Sequence, residues 1–226
     1  MTTLLEVRQD SLTSLGDGNT PPQALLRMGI MPVANKWDLL ALQGRMFTVK
    51  QTTIGTPLAG SAADAGGIVL TAPTLRFSVP VGTTVFPRHL NVAFATAAGV
   101  DNEIALIYDD TATYASGGTA VTPLNLRTDA PRATVVTNCY HAAGSAIVEG
   151  ALTNVRAIYQ DCIPLAFAFA TSYHLMYTID KWFDSFIPIV GPASVLLYLS
   201  AKTTANTHYV SLDWAEVPTV SAITAV

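Results

Sequence analysis

SVLLYLSAKTTANTHYVSLDWAEVP, Ser194 to Pro218, reads as two β-strands joined by a polar turn. Val195 to Leu199 is almost continuously apolar, the pattern of a strand covered on both faces. From Thr207 to Val217 the pattern alternates, with Tyr209, Ser211, Asp213 and Glu216 breaking up Val210, Leu212, Trp214 and Val217. That alternation suits a strand with one wet face. Lys202 to Asn206 is polar and ends in Asn, which tolerates the backbone of a tight turn. The stretch is therefore expected to be the closing hairpin of a β-sandwich.

The rest of the chain fits around it. Leu75, Phe77 and Val79 alternate up to Pro80, which stops or bulges the strand; Val85 and Phe86 resume it and Pro87 resets it. Leu90, Val92 and Phe94 alternate again, and Glu103 to Tyr108 forms a further strand closed by Asp109 and Asp110. Arg45 to Ile54, Gly67 to Thr71, Ala133 to His141 and Ile163 to Ala170 also read as strands. Val148 to Ala157 shows no period and reads as loop with some strand, and Thr111 to Gly118 as a loop or short hairpin with Tyr114 at its tip. A short helix or turn is expected around Lys36 to Leu40, ending at Gly44. Nine or ten short strands without a long helix indicate an all-β, antiparallel β-sandwich of jelly-roll type. An immunoglobulin-like sandwich is the second choice, but its Cys…Trp…Cys spacing is missing. Residues 36–226 are expected to form one sandwich domain. Residues 1–35 are expected to form an extended N-terminal arm, lying either on a neighbouring subunit or at the edge of its own sheet.

Charged residues make up only 12% of the chain, about half the usual share of roughly 25%. A surface so poor in charge suggests cover by other subunits. The net charge of −4, with Lys and Arg scattered singly, argues against a nucleic-acid surface. No apolar run is long enough to span a bilayer, and MTTLLEVRQD has neither a basic nor an apolar region of a secretory signal. The chain is expected to be made in the cytoplasm and to stay soluble or assemble there. Cys139 and Cys162 cannot make a zinc site alone; two buried free thiols are expected in preference to one disulfide.

FSVPVGTTVFPRHLNVAFATAAGVDNEIALIYDD (Phe77 to Asp110), HYVSLDWAEVP (His208 to Pro218) and GRMFTVKQT near Gly44 resemble a family of jelly-roll virion proteins of tailed phages. The resemblance lies in strand-and-turn punctuation over about two-thirds of the chain. It implies a trimer-forming β-sandwich on the particle surface or tail, in a virion made in the host cytoplasm. From the residues themselves, no cofactor and no metal are expected.

No nucleophile elbow, phosphate loop or dinucleotide fingerprint is present. His89, His141, His174 and His208 lie on or beside predicted strands and read as structural. His141 lies two residues from Cys139, but the sequence names no third residue to complete a nucleophilic arrangement. Asp101, Glu103, Asp109 and Asp110 form an acidic patch without a calcium-loop pattern, which reads as a solvated turn. Asp213 and Glu216 lie three apart on a strand, so they should face opposite ways, contrary to what a glycosidase pair needs. Trp214 reads as core. Tyr114 and Trp182 are the candidate ligand-binding residues, because exposed aromatics on loops can stack on sugars. The expectation is a non-enzymatic phage structural protein, a capsid decoration or cement homotrimer bound to other virion proteins such as the major capsid protein. A carbohydrate-binding attachment module, a hydrolase with paired carboxylates and a jelly-roll major capsid subunit are the alternatives.

Overall fold

The computed structural model describes residues 36–50, 57–59, 68–96, 102–129, 131–142, 145–163, 178–185, 187–201 and 207–219. The arm at 1–35, the turn at 202–206, His174 and Asp101 lie outside these residues. A short helix, α1 (Lys36–Leu42), precedes β1 (Met46–Lys50) and β2 (Leu58–Ala59). β3 (Leu75–Val79), β4 (Thr83–Thr96) and β5 (Asn102–Asp109) follow, then the short β6 (Tyr114–Gly117), β7 (Thr119–Ala120) and β8 (Leu124–Asn125). β9 (Thr137–His141), β10 (Ile147–Glu149), β11 (Arg156–Ile163) and β12 (Thr178–Trp182) lead to β13 (Ile189–Val190), β14 (Ala193–Ala201) and β15 (Thr207–Pro218).

Two antiparallel sheets carry the fold. The first has the order β12-β4-β15-β1-β8, with β13 also on β4 and β2 on β15; the second runs β11-β5-β14-β3-β9-β7. Eight of these strands form the frame of the two sheets: β1, β3, β4, β5, β11, β12, β14 and β15. Among these the first pairs with the last, the second with the seventh, the third with the sixth and the fourth with the fifth. The chain is thus one long antiparallel hairpin rolled up on itself. β15 then pairs with β4, and β14 with β5, to close each sheet. This is the jelly roll.

Alternation explains the packing. Val195, Leu197 and Leu199 of β14 join Val210, Leu212 and Trp214 of β15 in the core between the sheets. Removal of such side chains from water is the main favourable term for the fold. The Trp214 ring stacks on Phe77 at 4.6 Å and faces Phe47 at 6.4 Å, tying β15 to both β3 and β1. β14 is covered on its other face as well, where Leu196 and Tyr198 pack with Ala105 and Ile107 under Ile68, Ala112 and Leu152. On the outer face of the first sheet, Trp37 and Leu40 of α1 cover Met46, Phe86 and Ala215. The helix ends at Gly44, whose φ of +66° suits glycine.

Three expectations need correction. Pro87 does not interrupt the chain: β4 runs through it. Its missing N–H does no harm because β13 pairs with Thr84 and Val85 and β12 with His89 to Ala93, leaving Pro87 in the gap. Residues 68–71 form no strand, and Arg156 to Ile163, which shows no clean alternation, pairs along β5 with a bulge at Ile158. Cys162 is exposed, not buried, while Cys139 is buried; both thiols are free. They lie on β11 and β9, four strand spacings apart across the second sheet, roughly 19 Å and far beyond disulfide reach.

Candidate functional site

Each outer face of the sandwich carries a cation, carboxylates and aromatic rings, but only one of the two groups is open.

The sealed group lies on the second sheet. Arg76 alternates with the inward Leu75, Phe77 and Val79, so it points outward, beneath the two-stranded ribbon of β6 and β10. Its Nε meets Glu149 Oε1 at 2.5 Å, with both side chains fully buried. Its Nη2 donates to Ser78 and Ser194 Oγ at 2.9 Å, and Nη1 to the Asn138 carbonyl at 3.2 Å. Asn138 presents that carbonyl from a left-handed conformation, φ +48°, which Asn tolerates. Tyr114 lies over the guanidinium at 5.1 Å, stacks on Tyr140 at 4.4 Å and donates its hydroxyl to the Gly117 carbonyl. Burial lowers the Arg76 pKa and raises that of Glu149, each partly offset by the other's charge. Tyr114 thus starts β6 instead of capping a loop tip, and it is half-buried in a structural clamp.

Asp109 secures the neighbouring loops. It is buried, and it accepts from Thr111 N and Oγ1, Ala112 N and Asn154 N at 2.5–2.8 Å. Burial pushes its pKa up, but these donors outweigh it and hold the carboxyl below the ordinary range. Both oxygens are therefore committed to loop donors: Asp109 is a buried loop anchor, while Asp110 beside it is exposed, as a solvated turn would have it.

The open group lies on the first sheet. A β-bulge sets Arg88 as an extra residue between Pro87, opposite Trp214, and His89, opposite Asp213. Arg88 and His89 consequently both reach the outer face. The His89 ring meets Asp180 at Nε2 and Asp213 at Nδ1, the latter at 3.4 Å, so it links β4 to both neighbouring strands. Trp182, directly opposite His89 on β12, stacks on that ring at 4.1 Å, and Arg88 sits 4.8 Å from the centres of both Trp182 and Trp37. Hydrogen bonding to His89, with further support from Trp182 and Asn91, holds the Asp180 carboxyl below its ordinary range. Asp213 Oδ1 is buried without a hydrogen-bond partner. Trp182 is 48% exposed.

The remaining candidates do not come together. Glu216 points inward, accepting from Trp214 Nε1, Thr134 Oγ1 and Val135 N, whereas Asp213 points outward; the two carboxylates do not converge. Cys139 and His141 share the buried side of β9, but burial pushes the thiol to about 12 and lowers the His141 pKa, which disfavours both thiolate and imidazolium. His208 is buried in the core edge against Phe94. No group of three or more metal-binding side chains is assembled among the described residues.

Sequence reasoning picked out Trp182 but not its companions. His89, Arg88 and Asp180 come together only through the register of β12 on β4 and the bulge at Arg88. The class defined by this geometry is an all-β jelly-roll sandwich with an open aromatic and carboxylate surface. No family model matches the chain, and comparison with curated proteins and with solved structures gave no match.

Proposed function

We propose that this chain is a non-enzymatic structural subunit of a phage particle, a decoration or cement protein that works as a homotrimer and binds other virion proteins such as the major capsid protein. A jelly roll hosts many functions, so the argument rests on surface and not on fold alone. The observation that carries it is an apolar corner beside α1. Leu42 (61% exposed), Leu124 (60%), Leu126 (43%) and Val135 (49%) all stand open there.

Hydrogen bonds bring the four together. β8 pairs with β1, Leu126 N donates to the Met46 carbonyl, and Arg127 reaches the Leu42 carbonyl. Val135 N donates to Glu216 at 2.9 Å, and Glu216 N to the Arg45 carbonyl. Exposed aliphatic side chains favour association, because their burial removes apolar area from water. The low charge of the whole chain, 12%, supports the same reading.

Light scattering on the full chain and on the double variant Leu124→Asp, Val135→Asp tests it. A trimer that becomes a folded monomer in the variant is expected. A native chain that is monomeric at micromolar concentration, or a variant of unchanged mass, would count against it.

A further inference from the structure

We propose that the trimer closes head to tail, the Leu124 corner of one copy seating on an uncharged end at Val81 and Val190 of the next. This deepens the structural reading and rests on it. A two-fold contact can use one patch twice, whereas a three-fold ring needs two different patches on every subunit, one for each neighbour. The apolar corner supplies one. The second lies across the same sheet, where Val81 is 78% exposed and Val190 50%, with Pro188, Pro192 and Pro218 also exposed. The segments that carry them, VPVGTTV (79–85), IPIVGPAS (187–194) and VPT (217–219), contain no charged residue. Such a surface is buried against aliphatic side chains without desolvating a charge.

Backbone bonds hold the three segments together. Thr83 N donates to the Pro80 carbonyl at 3.2 Å, Gly191 N to the Thr83 carbonyl at 2.9 Å and Thr219 N to the Gly82 carbonyl at 3.0 Å. A surface fixed in this way loses little freedom on binding. Its position suits a second neighbour. Val190 pairs with Thr84 of β4, and Leu124 with Thr48 of β1, while β15 lies between β4 and β1. β13 and β8 are thus four strand spacings apart, roughly 19 Å. α1 packs on Met46, Ala215 and Phe86 in the strip between them, with Lys36 and Asp38 exposed. A polar-topped helix therefore divides the two apolar patches.

Two variants test the joint by light scattering, their fold checked by circular dichroism. Leu124→Asp with Val135→Asp spoils the corner, and Val81→Asp with Val190→Asp spoils the end. Each alone should be monomeric. A one-to-one mixture should form a dimer and nothing larger, because it holds one intact corner and one intact end. The pair lacks the closure of a full ring, so the mixture is measured at the highest soluble concentration. The milder Val81→Ser with Val190→Thr should weaken the trimer about tenfold or more, which covers an end variant that fails to fold. End variants that keep the native mass and affinity, or a mixture that stays monomeric, would overturn the head-to-tail joint and leave the trimer itself standing. A monomeric native chain, or a corner variant of unchanged mass, would overturn both.

Discussion

The two outer faces of this sandwich carry the same ingredients with opposite consequences. On the second sheet Arg76, Glu149, Tyr114 and Tyr140 lie under the β6–β10 ribbon, and the ion pair has no contact with water. On the first sheet Arg88, His89, Asp180, Asp213 and Trp182 have no covering strand among the described residues, and Trp182 and Asp180 remain open. Cover, rather than residue type, separates a clamp from a site. A buried charge left without its partner is strongly penalised, so the sealed group must hold the ribbon in one place. Asp180 stands 57% exposed, so its pair with His89 is screened and contributes little to folding.

Breaking the sealed group should have the largest effect. Arg76→Met leaves Glu149 buried without its cation and should cost about 3–5 kcal/mol, measured by urea unfolding. Adding Glu149→Leu should recover most of that loss, because the charge is then removed as well. A double variant as unstable as the single would show that the hydrogen bonds to Ser78 and Ser194, not the ion pair, hold the ribbon.

The turn that delivers the ribbon comes next. Gly117 has φ +81°, and a Cβ there would lie 2.0 Å from the Ala146 carbonyl oxygen. Gly117→Ala should therefore cost roughly 2–3 kcal/mol by the same measurement, from backbone strain and displacement of β10. A neutral substitution would mean that the ribbon is seated less tightly than its contacts indicate.

Acid should act on the buried histidines. Burial takes the His208 pKa down to about 3 from an ordinary 6.5. Between those values the unfolded chain binds a proton that the folded chain refuses, so stability falls as pH drops from 6.5 toward 3. About 2 kcal/mol should be lost between pH 7 and pH 5, and His208→Phe should flatten that slope in a Tm-against-pH series. His141 shifts in the same direction and adds to the effect. Asp109 adds its own loss below about pH 4, where the unfolded chain takes up a proton that the folded carboxyl, held below the ordinary range, refuses.

The open group should matter least for folding. Trp182→Ala and His89→Ala should each change stability by about 1 kcal/mol or less. Thermal denaturation checks this, and a larger loss would mean that His89 clasps β12 to the sheet.

Much of the fold was legible because alternation and continuity report cover. Val195 to Leu199 is apolar throughout and is covered on both faces; Thr207 to Val217 alternates and shows a buried and a wetter side. Pairing order was not legible, since first-to-last pairing is a relation between distant strands. β11 was missed because Arg156, Gln160 and Asp161 are exposed and mask its partly buried Ile158 and Tyr159. The candidate site was half legible. An aromatic between Asp180 and Asp184 stands out, but Pro87-Arg88-His89 reads as a break and shows its bulge only against Asp213 and Trp214. Tyr114 resembled Trp182 in sequence, and only the ribbon over it separates them. A lone Arg in the apolar run around Phe77 was the available hint of a buried ion pair.

Urea unfolding of Glu149→Gln and Asp213→Asn, side by side, tests the central contrast most directly. Each replaces one carboxylate by its isosteric amide beside a cation or imidazole. The account expects Glu149→Gln to lose about 3 kcal/mol or more and Asp213→Asn about 1 kcal/mol or less. Equal losses, or a larger loss for Asp213→Asn, would contradict it and make the two faces equivalent.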